Sequence, residues 1–173
     1  MFTTNHAEYL LQLEKKVLHN DILQNELSFD QKFPFQHKFI LISPLDNDYT
    51  FIYDVNQSSK NQFKLTLYLF DSDTRIGLFR VDFSGQHKNP ETIIDKVPDF
   101  LHPYAGMFFN YHQPHVHYYV EGYKTTLDWA IPITDSRFPI KKIENEKDIL
   151  SVFYEFNKII NLITKFLINP IIL

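Results

Sequence analysis

From residue 22 to residue 84 the apolar side chains recur at every second position, and the breaks between runs are too short to hold a crossover helix. Ile22–Phe29, Gln36–Ser43, Tyr49–Val55, Gln62–Phe70 and Arg75–Ser84 are each rich in aromatic and β-branched residues. Turn formers separate them at Phe33-Pro34, Pro44 through Asp48, Asn56 through Asn61 and Asp71-Ser72-Asp73. Successive strands joined by short turns have to run antiparallel, so the spacing predicts a meander.

The rest of the chain frames that sheet. Asn5 to Leu18 reads as a helix capped by Thr4 or Asn5, with Tyr9, Leu10, Leu13, Val17 and Leu18 on one side. Two more strands follow later, at His115–Glu121 and Leu127–Ile133, and a short helix fits Pro90–Lys96 behind an Asn89 cap. Glu146 to Ile168 carries Ile149, Phe153, Phe156, Ile160, Ile163 and Leu167 at steps of three and four, which predicts a long helix stopped near Pro170. The expected fold class is α+β. It comprises a single twisted antiparallel sheet of about 6–7 strands, flanked by an N-terminal helix and a long C-terminal helix, in one domain spanning 1–173.

Composition removes several possibilities. Cysteine is absent, which excludes disulfides and cysteine-ligated zinc. A net charge of −4 argues against a protein coated in basic residues, so any anion site has to be a local patch. The N-terminus lacks a basic segment followed by an apolar one, so the expected location is cytoplasmic. The apolar C-terminal stretch is interrupted by Asn161, Lys165 and Asn169, whereas a membrane span needs ~20 predominantly apolar residues. No membrane contact is expected; a homodimer through the C-terminal helix is left open.

Function points to "HQPHVHYYVEG", residues 112–122. Alternate side chains of a strand share a face. His115, His117, Tyr119 and Glu121 therefore point one way, and Val116, Tyr118 and Val120 the other. By the same parity Arg80 and Asp82 oppose Phe79, Val81 and Phe83, while Lys64, Thr66 and Tyr68 oppose the leucines of their strand. One polar face thus collects Lys64, Tyr68, Arg80, Asp82, His115, His117, Tyr119 and Glu121. The loop carrying His87, Lys88 and Asn89 leaves the Arg80 strand directly and can hang over it.

Such a face supports three chemistries. One is metal-independent RNA cleavage, with His115 and His117 as acid and base, His87 as a third imidazole, and Arg80, Lys64 or Lys88 on the phosphate. Tyr104, Phe109, Tyr111 and Tyr119 then offer stacking surfaces for unpaired bases. The second is a divalent-metal site. His115-x-His117 with Glu121 resembles the first ligand motif of cupins, although the preceding glycine and the second cupin motif are missing. The third is a rigid binding surface without chemistry.

Four segments together resemble an uncharacterised bacterial and phage family. They are Ile76 through Phe83 with its Leu-Arg-x-Asp core, Gly85 through Pro90 with His-x-Asn-Pro, His115 through Gly122 with His-x-His-x-Tyr, and Trp129 through Pro132. Tyr9 through Lys15 matches that family's N-terminal helix. This chain departs from it after Pro90, where Glu91-Thr92 replaces Asp-Gly. The resemblance directs attention to Arg80, Asp82, His87, Asn89, His115, His117 and Tyr119, and implies a toxin–antitoxin or phage–host setting. The leading expectation is an RNA-engaging protein: if an enzyme, a metal-independent endoribonuclease. Its catalytic residues would be His115, His117, His87 and Tyr119, and its substrate-binding residues Arg80, Lys64, Asp82, Lys88 and Asn89. The alternatives are an inhibitor that binds a bacterial defence complex such as CRISPR-Cas, or a metal enzyme on His115, His117 and Glu121. Partners consistent with these expectations are RNA, an antitoxin or a defence complex.

Overall fold

The structure, a computed structural model, describes residues 1–123 and 127–170. The chain begins with α1 (Thr4–Gln12), β1 (Lys16–His19), β2 (Ile22–Gln24), β3 (Glu26–Gln31) and β4 (Gln36–Ile42). There follow β5 (Thr50–Gln57), β6 (Leu65–Asp71), β7 (Gly77–Asp82) and β8 (His87–Lys88). A 3-10 helix (Asp99–Tyr104) leads to β9 (Phe108–Phe109), β10 (His115–Tyr118) and β11 (Trp129–Pro132). The chain then forms α2 (Glu146–Ile159) and β12 (Lys165–Pro170).

Eight strands make one antiparallel sheet in the order β11-β10-β7-β6-β5-β4-β1-β2, so the α+β expectation holds with a wider sheet. Two small ladders are additions: β8 with β9, and β12 running parallel to β3. Among the described residues no helix is long and apolar enough to cross a membrane.

Several elements differ from those the sequence pattern predicts, among them the expected strand Ile22–Phe29, which breaks at Asn25 into β2 of the large sheet and β3 of the ladder with β12. The first helix stops at Gln12, where Leu13 leaves helical geometry with ψ 131°, and further on Asn20 and Asp21 both take positive φ, 51° and 60°, and close a two-residue hairpin. That turn fixes His19 opposite Ile22 and commits Lys16–His19 to the sheet. Pro90–Lys96 forms no helix; the local helical turn is the 3-10 helix further on. The long C-terminal helix ends at Ile159, where Asn161 turns left-handed at φ 51°. From Lys165 the period becomes two, with Phe166 buried and Leu167 37 % exposed, and the segment pairs with β3. The stripe at steps of three and four is thus a helix face followed by a strand face.

Both helices lie on one face of the sheet. Ala7 and Leu10 from α1, and Ile149, Phe153 and Phe156 from α2, meet Leu41, Tyr53, Val55, Leu67, Phe79, Val81 and Val116. Tyr53 stacks between Phe153 and Phe156, with centroids 5.7 and 5.1 Å away. Burying each such ring contributes roughly 1.5–3 kcal/mol. The apolar side of α2 packs inside the molecule, and Asn145 closes its first turn as a capping box.

Candidate functional site

Cross-strand register lays the polar face out in two rows. Lys38, Asp54, Tyr68, Arg80 and His117 are successive partners across β4, β5, β6, β7 and β10. Beside them run Gln36, Asn56, Thr66, Asp82 and His115. Strand alternation puts all ten side chains on the side away from the helices. The shared face expected for the two histidines is thus present. Its openness is not uniform: Lys38 and Gln36 are exposed, whereas Asp82, His115 and His117 are 1, 1 and 2 % exposed.

The burial comes from residues 85–112, which wrap the β11 edge. Asn89, itself buried, donates from Nδ2 to the carbonyls of Ala130 and Tyr104 and accepts from the Ala130 amide. One side chain therefore does for the free edge of β11 what another strand would do. His87 is fixed beside it, its Nε2 facing the Asp128 carbonyl at 2.8 Å and Asn89 Oδ1 at 3.0 Å. Phe109 pairs opposite His87 in the small ladder and packs on His115, with centroids 4.6 Å apart.

Asp82 is the centre of the cluster. Oδ1 accepts from Thr66 Oγ1 and Arg80 Nη2, and Oδ2 lies 3.0 Å from His117 Nε2 and 3.6 Å from His115 Nε2. Arg80 Nε is 2.8 Å from Oδ2 yet makes no aligned hydrogen bond, so that approach is an ion pair only. Burial alone would raise the Asp82 carboxyl, but the His117 hydrogen bond, the Arg80 charge and Thr66 outweigh it and hold it well below the usual carboxylate range. Burial pushes His115 down to about 4, against the opposing hydrogen bond to the Gln113 carbonyl. Burial, then the charge of His117, also lowers His87.

Arg80, Asp82, His87, His115 and His117 are brought together as expected, with Asn89 behind them as an anchor instead of a substrate ligand. Other residues of the expected set lie elsewhere. β10 ends at Tyr118, so alternation lapses, and the Tyr119 hydroxyl donates to the Phe2 carbonyl. The Glu121 carboxylate accepts from the Thr4 amide and lies 3.8 Å from Lys96, away from both imidazoles. Lys88 pairs with Glu91 at 2.6 Å. Lys64 stands at the rim with its ammonium 5.5 Å from the Tyr111 ring centroid. Thr66 is legible as a residue of this face, but nothing in its type marks it as the partner of Asp82. The Gln113 and Leu127 carbonyls that orient the imidazoles leave no sequence signal at all.

A family model matches residues 2–162, which includes every residue of this centre. The chain belongs to DUF6978, a family of unknown function. No curated protein and no solved structure matches it. For this DUF6978 member, function has to be read from the geometry of the site.

Proposed function

We propose that this chain binds single-stranded RNA along the open part of its polar sheet face, in the toxin-like or phage–host setting implied by its sequence resemblance. The observation that carries the reading is a continuous trough. Two depressions of about 450 and 320 Å³ share Gln36 and Asn56 and together run from His37 to Thr66. Lys38, Lys60 and Lys64 line them against a single carboxylate, Asp54. Such a trough offers cations for phosphates and amides for base edges or 2′-hydroxyls, with Tyr111 beside Lys64 as a stacking ring. At its inner end Thr66 touches Asp82, and the Arg80 side chain, 40 % exposed, is positioned to meet a phosphate arriving there.

The reading is of binding, not of metal-free cleavage. An acid–base cut needs the scissile phosphate at an imidazole Nε2. Here both Nε2 atoms are buried and turned to Asp82. Fluorescence anisotropy with a short unstructured RNA, in chelator, tests the proposal. Replacing Lys60 and Lys64 by alanine should weaken binding at least tenfold and reduce the salt slope by about 0.7 for each phosphate no longer neutralised. Unchanged affinity in that variant overturns it.

A further inference from the structure

The two imidazoles are held in a way that RNA binding does not use. His115 Nδ1 lies 2.8 Å from the Gln113 carbonyl and His117 Nδ1 lies 2.9 Å from the Leu127 carbonyl. A carbonyl oxygen only accepts, so each Nδ1 carries its proton and donates. Each neutral ring then has a lone pair on Nε2, and both lone pairs face Asp82 Oδ2. Acceptors gathered against a carboxylate in a dry pocket repel unless something positive stands among them, and the cation now beside them is the Arg80 guanidinium, 2.8 Å from Oδ2. His117 has an oxygen acceptor at each nitrogen, the Leu127 carbonyl at Nδ1 and Asp82 Oδ2 at Nε2.

We propose that Asp82 Oδ2, His115 Nε2 and His117 Nε2 are three ligands of a divalent transition-metal ion. The three residues have ligand atoms within 4.8 Å of one another, and all three are buried. Bonds of about 2.0–2.1 Å place the ligand atoms of a tetrahedral ion roughly 3.3 Å apart; the two Asp82–imidazole separations, 3.0 and 3.6 Å, bracket that spacing, while the set as a whole spans up to 4.8 Å and has to draw in around an ion. Two imidazoles and one carboxylate suit zinc, iron(II), manganese or cobalt(II), and leave positions open for water or substrate. The supports also fit. Metal-bound histidines donate their other ring N–H to a carbonyl or carboxylate, and bound carboxylates are themselves hydrogen-bonded. Thr66 takes Oδ1, whereas Arg80 reaches both oxygens, Nη2 at Oδ1 and Nε 2.8 Å from Oδ2, so the ion has to displace it.

Arg80 is the competitor. Its guanidinium lies against the same carboxylate, and a dication there would repel it. Since the side chain is 40 % exposed, it turns outward when the ion enters. His87 is not in the ligand set, because its Nε2–H is committed to Asp128 and Asn89. This centre replaces the His115, His117 and Glu121 set suggested by the sequence.

The test uses full-length protein stripped with chelator and titrated with Co²⁺, then Zn²⁺, with no RNA present. One equivalent of Co²⁺ should bind with visible d–d absorption and be displaced by Zn²⁺. Asp82→Asn and His117→Gln should each weaken binding at least a hundredfold, and Arg80→Gln should tighten it severalfold. Because substitutions at buried positions can unfold the chain, the wild type supplies a second readout. Long-range ¹H–¹⁵N spectra should show Zn²⁺ shifting Nε2 of His115 and His117 while Nδ1 keeps its proton. Absence of saturable binding, or shifts confined to His6, His19 or His112, overturns the proposal. The RNA assay in chelator is independent, so either reading can fail alone.

Discussion

At the scale of single residues, a buried charge is informative when its partners can be counted. Lys15 is fully buried, and its ammonium donates to the carbonyls of Leu11, Leu13 and Ile160 at 3.0, 2.7 and 3.0 Å. It thereby ties the end of α1 to the end of α2, where carbonyls lack partners and a cation is favourable. Burial nevertheless pushes its pKa down to about 7 from an ordinary 10.5. Above pH 7 the folded chain sheds a proton that the unfolded chain keeps, so this group makes stability rise with pH towards 10.5. The rise has a ceiling of ~5 kcal/mol over the whole window. Urea unfolding at intervals from pH 7 to 9.5, below the tyrosine range, should show an upward trend that Lys15→Met abolishes. A flat wild-type profile would refute this. Asp82→Ala should cost about 3–5 kcal/mol in the same assay near neutral pH, because it strands His117 and Thr66 in the interior. The role of Lys15 is not legible in the sequence, where it falls within a longer helix; Asp82 is legible as a site residue beside the imidazoles but not as a buried one, because a side chain's parity is local whereas its burial is decided by distant chain.

Elements show the same division more plainly. Strands β4 to β7 and β10 can be read because alternation is a property of contiguous sequence, and the common face of Arg80, Asp82, His115 and His117 comes with them. The cover formed by residues 85–112 has no period to read, being held by Asn89 and by short ladders. The C-terminal helix misleads for a different reason. Phe156, Ile160, Ile163 and Leu167 satisfy helical spacing, and only the left-handed Asn161 and the vacant edge of β3 decide that the last of them belongs to a strand. Asn89 makes the cover testable. Asn89→Ala removes the bonds to the Ala130 amide and carbonyl, at about 1–3 kcal/mol per buried group left unpaired. Hydrogen exchange at the Ala130 amide should speed up severalfold or more, while core amides of β5 and β6 change only through the global loss of stability. Equal acceleration everywhere would mean that the cover has no independent opening.

On the scale of the whole molecule, charge and topology pull against each other. The chain carries a net charge of −4, so an approaching RNA is repelled at long range and attracted only by the strip itself. Binding of that kind depends on the balance inside the trough, where Lys38 is partly neutralised by Asp54 at 3.2 Å. Both side chains reach solvent, so the pair itself adds little to stability. Removing the carboxylate should therefore change binding and leave the fold alone. Asp54→Asn is expected to tighten RNA binding about three- to tenfold at low salt, with the gain shrinking as salt screens the freed lysine. Anisotropy titrations at several salt concentrations measure this directly, beside a thermal melt that should not move by more than a degree or two. If Asp54→Asn binds RNA no better than the wild type while Lys60 and Lys64 still matter, the RNA path leaves the sheet before β5. The Arg80–Asp82–His117 centre would then have to be reached from the rim at Tyr111, and the row of cross-strand partners from Lys38 to His117 would be a structural ladder and not a route.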